Sequence, residues 1–302
     1  MKLRVSLESI RHNAETLNER YDQDIVAVLK GVNSDRAIAE VIVDAGIDTI
    51  CDSDVQSLRF CADHVNCDSM LIRPPSPTGL EDVTMIDTVI HSDWEALNRI
   101  DVMGDLFGYC PGVYLMVDAG YVREGIKIEE LEDYVVKVDE SEHMELAGVA
   151  TNPGCHTGEV DMDKLNELFD ECDDLGVGRI SGGSTALLQY DIPDEVDELR
   201  IGEALLTGHH AVEAEMVDGL LNPFKVEATV IKDKEDTVIY DFGTSNTNPD
   251  SMYNGRDILN SWSDMSLVMN RNAEYGDRST WDVSYWGVER AFNGKNVTVM
   301  YD

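Results

Sequence analysis

The sequence predicts an α/β chain: a (β/α)8 TIM-type barrel over residues 1–222, followed by a small all-β domain over residues 223–302. Two observations predict it. Between residues 25 and 222, short apolar runs alternate with amphipathic stretches, the order expected of strands wrapped by helices. After Asn222 and Pro223 that alternation stops, and short β-rich runs separated by turn residues replace it. A doubly wound open sheet is the alternative reading of the first part.

The elements follow in order. Barrel strands are expected at 25–29, 49–51, 70–72, 88–90, 113–117, 146–150, 179–181 and 199–201. Between them, Arg36 to Asp44 (RAIAEVIVD) places apolar residues near i, i+3, i+4 and i+7, and the stretches 128–138 and 162–172 repeat the pattern. Eight strands separated by helices suit a closed barrel. Residues 208–221 are expected to connect the two parts, a helix being one option. Beyond them, strands are expected at 224–231, 237–240, 266–269, 281–286 and 297–301, with turns at Asn254-Gly255 and Asn293-Gly294. No helix is expected there.

Charge narrows the function. The chain holds 60 acidic residues against 23 basic ones, a formal net charge of -37. Sequence-independent binding to nucleic acid or to an anionic membrane needs basic surface, so neither is expected. The acids, 35 Asp and 25 Glu, are spread along the whole chain, and Lys is scarce at 9 beside 14 Arg. Spread acidity fits a salt-filled cytoplasm in which screening removes self-repulsion, so a halophilic source is expected; an ordinary acidic enzyme is the alternative. No segment reaches the roughly 18 apolar residues of a membrane helix, and Met1 to Val5 leads into a polar helical pattern rather than an apolar signal core. A cytoplasmic protein is expected. The six cysteines, at 51, 61, 67, 110, 155 and 172, form no CxxC pair, which suits buried reduced thiols rather than zinc.

In a barrel, chemistry sits at the C-terminal ends of the strands. The first strand ends in Lys30-Gly31-Val32-Asn33. A lysine there enters a low-dielectric mouth, which lowers its affinity for a proton and suits Schiff-base chemistry; a lysine paired with an acid such as Asp52 is equally open from position. The fifth strand runs into Asp118-Ala119-Gly120 and then Arg123-Glu124-Gly125. An arginine there can grip a carboxylate bidentately, or pair with Glu124 at the surface. The sixth ends in Thr151-Asn152-Pro153-Gly154-Cys155-His156, whose adjacent Cys and His do not meet side to side on an extended loop. The seventh runs into Ser181-Gly182-Gly183-Ser184-Thr185, glycines and hydroxyls before a helical start, suited to an anion. The eighth gives Leu199-Arg200-Ile201-Gly202-Glu203, with Arg200 at the mouth or in one more surface ion pair. Lysine, anion cradle and arginine together suit pyridoxal 5'-phosphate, the lysine forming an imine and the loops holding the phosphate.

These residues resemble the alanine racemase superfamily, the fold-type III pyridoxal-phosphate enzymes. The resemblance rests on Val26-Ala27-Val28-Leu29-Lys30, the 39–46 stretch, Asp52-Ser53, Met116-Val117-Asp118-Ala119-Gly120 with Arg123-Glu124-Gly125, the 148–152 and 181–185 stretches, and Leu199 to Glu203. It covers roughly residues 5–210 and is nearest to the alanine/ornithine racemase-like branch. It implies a PLP-dependent racemase that interconverts L- and D-amino acids by abstracting the Cα proton from an external aldimine. Lys30 would carry the internal aldimine and act as the base on one face. Arg200 would face the pyridine nitrogen. Ser184, Thr185, Ile201 and Gly202 would hold the phosphate, and Asn152 would take the strand-6 position beside the cofactor. Arg123 would bind the substrate carboxylate. The alanine racemase motif has a Tyr four residues after the Lys, where this chain has Ser34.

The family also implies a homodimer, in which a Tyr from the partner's β domain acts as the second base. Tyr275 is the candidate, with Tyr253 and Tyr285 as competitors. Two other readings remain. A non-catalytic pyridoxal-phosphate protein of the same barrel type ends after the barrel, and this chain does not. A fold-type III aldolase or dehydratase would hold a metal with His and Cys in the β domain, and residues 223–302 contain neither; no metal is expected.

Overall fold

The computed structural model of the chain describes residues 1–73, 83, 85–120, 122, 124–154, 159–210, 215–234, 237–247, 258–260, 267–269 and 273–302. Arg123, Cys155, His156 and Tyr253 lie outside them.

The chain opens with strand β1 (Lys2–Val5) and helix α1 (Leu7–Arg20), then alternates strand and helix. The sequence is β2 (Asp24–Val28), α2 (Arg36–Asp44), β3 (Thr49–Asp52), α3 (Val55–His64), β4 (Asp68–Leu71), β5 (Thr88–His91), α4 (Trp94–Phe107), β6 (Gly112–Val117), α5 (Leu131–Asp139), β7 (Glu145–Thr151), α6 (Met162–Leu175), β8 (Ile180–Gly183), β9 (Glu198–Ile201) and α7 (Glu203–Thr207). Strands β2 to β9 close into a parallel barrel, with β9 paired back onto β2. All eight barrel strands expected from the sequence are present.

Local chemistry starts the helices. Asp35, Asp54, Asp93 and Asp161 each sit at the N-cap of α2, α3, α4 and α6, and each side chain accepts a backbone N–H of the first turn. That satisfies a donor the helix itself leaves open and places negative charge at the positive end of the helix dipole. Part of the acidity of the chain therefore has a structural use.

The remaining strands are β10 (Phe224–Asp233), β11 (Val238–Tyr240), β12 (Ile258–Asn260), β13 (Leu267–Met269), β14 (Arg278–Asp282) and β15 (Thr298–Tyr301), with one helix, α8 (Tyr285–Phe292). They form a second sheet of order β12-β13-β11-β10-β1-β15, with β14 also paired to β10. The N-terminal strand belongs to this sheet: Leu3 lies opposite Val226 in an antiparallel pair and opposite Val299 in a parallel one. Both ends of the chain are thus tied into the same sheet.

Helix α8 corrects the sequence reading, which placed a strand at 281–286 and no helix in this region. The strand ends at Asp282. Trp281, Val283 and Tyr285 alternate like a strand, but from Ser284 onward the buried positions are Tyr285, Val288 and Ala291, three residues apart, which is helical spacing. Short apolar runs satisfy both periods, and the packing of α8 against the barrel decides the outcome. Residues 208–221 also differ from the helical option: the described part makes an antiparallel bridge between His209 and Met216. Among the described residues, no helix is long and apolar enough to cross a membrane.

Candidate active site

Strand alternation sorts the barrel residues into two layers. Ile25, Ala27 and Leu29 pack outward against the helices, in the main core. Val26 and Val28 join Cys51, Met70, Ile90, Tyr114, Met116 and Ala150 in a separate cluster inside the barrel. Strand β2 ends at Val28, and Lys30 opens a short 3-10 turn, Lys30–Val32, at the C-terminal mouth; its charge reaches the buried Cys51 of the inner cluster. Arg200 lies between Leu199 and Ile201, both in the outer core, and side chains of a strand repeat every two residues, so it belongs to the inner set. The register Ala27 opposite Ile201 makes their strands direct neighbours. Ile201 itself is buried in the outer layer, so of its groups only the backbone is suited to meet a ligand at the mouth.

Each of the other sequence candidates has a defined place. Arg200 is buried, and its guanidinium donates to the Ser181 carbonyl (2.8 Å), the Ser181 hydroxyl and the Thr151 carbonyl (2.5 Å). It is not a surface group. Gly183 has no room for a side chain, since a Cβ there would lie 2.8 Å from the Arg200 guanidinium. The Ser184 hydroxyl oxygen accepts the Ala186 N–H at 3.4 Å, and that of the buried Thr185 accepts the Ala204 N–H at 3.2 Å. Thr185 thereby ties the loop after β8 to α7, while its own hydroxyl hydrogen remains to donate. Gly202 stands at the N-cap of α7.

Asp52, the acid offered as a partner for Lys30, is engaged elsewhere. Its carboxylate accepts the Ser34 hydroxyl at 2.6 Å and the Asp54 N–H at 2.9 Å, and burial pushes it above the usual carboxylate range. Ser34, where the family motif has a Tyr, is itself buried and turned to Asp52. The acid at Lys30 is instead Glu203, the first residue of α7. Burial pushes its carboxyl up to about 8, and the positive charge of Lys30 works against that rise. The sequence reading quoted Glu203 within a motif but assigned it no role, because one acid among 60 carries no signal of its own.

The tyrosines separate clearly. Tyr285 begins α8, and its ring and hydroxyl lie so close to Gly31 that a Cβ there would be 2.7 Å from the hydroxyl oxygen. It therefore stands beside Lys30 within the same chain. Tyr275 lies on the turn before β14 and is 74% exposed. The five residues of β14 separate it from the Tyr285 end, roughly 16 Å of strand.

The residues at the mouth fit pyridoxal phosphate. An amine follows β2 and a buried guanidinium lies on the neighbouring strand β9, and Asn152 Oδ1, one residue past β7, is buried with no hydrogen-bond partner among the described residues. Buried polar atoms are ordinarily satisfied, so this orphan next to the Thr151 carbonyl that Arg200 holds suits a polar ligand.

The barrel thus carries a lysine after its first strand and an arginine on its eighth, where the sequence places them. The family model for the alanine racemase N-terminal domain matches residues 5–210, and the chain belongs to that family. It is 29% identical to a lysine racemase of Thermotoga maritima over 252 residues, which cover 78% of this chain and 70% of that protein. It is 25% identical to an ornithine racemase of Acetoanaerobium sticklandii over 251 residues, 78% of this chain and 71% of that protein. Its fold matches the crystal structure of an alanine racemase from Bartonella henselae with covalently bound pyridoxal phosphate, with a TM-score of 0.81, 14% identity and coverage of 100% of this chain and 98% of that one. The chain is a pyridoxal-phosphate-dependent amino-acid racemase.

Proposed function

We propose that the chain racemises a basic α-amino acid, with lysine and ornithine as the first candidates. The observation that supports the reaction is that Lys30 follows β2 and Arg200 lies on its neighbour β9, and that both charges reach the buried Cys51 inside the barrel. The substrate class rests on the two relatives named for lysine and ornithine.

Each side chain has a part. Bound at the mouth, pyridoxal phosphate supplies the sink for the electron pair left on Cα when its proton departs. Lys30 would hold it covalently, and its amine, once released, would take the Cα proton from one side and give one back. Arg200 would lie at the ring nitrogen and keep it from taking up a proton, because two cations in contact repel. That limits delocalisation and favours return of the proton to Cα. Ser184, Thr185 and the backbone at Ile201 and Gly202 would hold the phosphate, and Asn152 Oδ1 would accept a hydrogen bond from the bound group. Arg123 would hold the substrate carboxylate. The proton on the opposite face comes from the partner subunit's Tyr275 in a homodimer, a reading supported by the exposure of Tyr275 and its distance along β14 from the Lys30 end. The acidic surface is read as adaptation to salt, under which the chain keeps its fold in multimolar KCl and loses it as salt is removed.

The test is chiral analysis of L-Lys, L-Orn, L-Arg, L-Ala and L-Ser with protein purified in multimolar salt and supplied with pyridoxal phosphate. The basic amino acids are expected to racemise fastest. Absence of Cα proton exchange with all five would overturn the reading. A monomer by light scattering in the same buffer would sink the shared site.

A further inference from the structure

A lysine works as a nucleophile or a base only when its nitrogen has a free electron pair, and at neutral pH an ordinary ammonium does not. The proton must leave to a nearby group and be returned by it. Among the carboxylates near the mouth, Asp52 is held by the Ser34 hydroxyl and the Asp54 N–H. Glu198 belongs to the inner layer too, but it stands at the opposite end of β9, with Tyr114 and Arg179 on its oxygen. Glu203 remains.

Its position is built in by the sheet. The β2–β9 register pairs Ala27 with Ile201, so the next residues, Val28 and Gly202, come side by side. A Cβ on Gly202 would lie 3.1 Å from the Val28 Cβ. One residue further, Glu203 leaves β9 as Leu29 and Lys30 leave β2. Among the described residues, the elements around it bring no competing charge. Helix α1 meets α7 through an apolar face of Ile10, Ala14 and Leu17, and through Asn13, which donates to the Leu205 carbonyl. Helix α8 brings Tyr285 to this end of the barrel, and the loop after β8 brings the Thr185 hydroxyl to Ala204. Arg200 is turned to Ser181 and Thr151. Lys30 is the charged neighbour whose field reaches the Glu203 carboxyl.

We propose that Glu203 is the proton partner of Lys30. In the step it serves, one N–H bond of the Lys30 ammonium breaks and an O–H bond forms on the Glu203 carboxylate. The electron pair stays on Nζ, and the reverse transfer restores both groups. Glu203 touches neither substrate nor cofactor in this step, and it acts through Lys30. The inference rests on the assignment of Lys30 as the reactive amine, and burial of the Glu203 carboxyl makes it able to hold a proton near neutrality.

The experiment follows covalent attachment of pyridoxal phosphate to the full-length chain freed of cofactor, by stopped-flow growth of the visible band between pH 6 and pH 10. Wild type is expected to show an inflection near the value of about 8 that burial sets for Glu203. Glu203→Gln is expected to attach about tenfold more slowly or worse at pH 7 and to lose the inflection, with an unchanged circular dichroism spectrum. Glu203→Asp, which keeps the carboxyl on a shorter arm, is expected to be slowed while retaining an inflection, and it carries the test should the Gln variant fail to fold. A visible band in wild type together with the same rate and profile in Glu203→Gln, or an Asp variant without an inflection, overturns the role of Glu203. Failure of wild type to form any band overturns instead the assignment of Lys30 on which it rests.

Discussion

The two ends of the barrel are built from the same inner layer of side chains but handle charge in opposite ways. At the N-terminal end, Glu198 is buried and its carboxylate accepts the Tyr114 hydroxyl at 3.1 Å and the Arg179 Nε at 3.2 Å. Arg179 also reaches Asp24 at 2.5 Å. Burial lifts the Tyr114 hydroxyl above its ordinary range, and the Glu198 charge adds to the rise. At the C-terminal end, the charge of Lys30 reaches the Glu203 carboxyl, Asp52 is held by Ser34, and Asn152 Oδ1 is buried with no partner among the described residues. One end, the barrel floor, pairs its buried charge within the chain through Glu198 Oε2, although Glu198 Oε1 has no partner among the described residues. The other carries a lysine and an unpartnered acceptor, which suits the chemistry proposed for it.

The strongest test of that contrast is Lys30→Ala. It is expected to abolish the visible band of the bound cofactor and lower racemisation by about 10²–10⁴-fold, while urea melts change little. A variant that keeps the band would sink the assignment of the mouth. The floor should behave in reverse. Glu198→Ala leaves the Tyr114 hydroxyl and Arg179 Nε without their acceptor, so urea denaturation is expected to show a loss of about 1–3 kcal/mol, with the rate of the surviving folded enzyme retained. Loss of turnover without loss of stability would mean that the floor takes part in catalysis.

A third effect lies in the pH dependence of stability. Glu203 is raised in the fold from its ordinary 4.5 to about 8. Between those values the folded chain holds a proton that the unfolded chain has released, so stability falls as pH rises across this window. The contribution is complete below the ordinary carboxylate range and lost as pH passes about 8. Urea melts of wild type and Glu203→Gln across pH 5 to 9 are expected to differ in slope, the Gln variant being flatter. Parallel curves would show that the carboxyl is not held by burial.

How far the sequence can be read differs between the same two regions. The barrel was legible because eight apolar strand runs recur, most of them separated by helical patterns, and a misread residue at one boundary does not change the count. The lysine was legible too, since a cation directly after an apolar strand breaks the local pattern. The second sheet was less so. Its short strands share an apolar run with α8, and nothing local separates Trp281–Asp282 in β14 from Tyr285 in the helix. The part played by β1 was not visible either, because Lys2 to Val5 finds its partners more than two hundred residues away.

By itself, the sequence determined the barrel, the positions of the lysine and the arginine at its strand ends, and the family. These follow from periodicities of two and 3.6 residues and from residue type, which are local properties. Only the tertiary structure decided that Asp52 answers to Ser34 rather than to Lys30, that Tyr285 rather than Tyr275 stands by Lys30 in the same chain, and that one acid among sixty, Glu203, shares the mouth with the lysine. The physical reason is that charge and hydrogen-bond partnership depend on which strands become neighbours. Closing the barrel makes the first and eighth strands adjacent although they lie about 170 residues apart in the sequence.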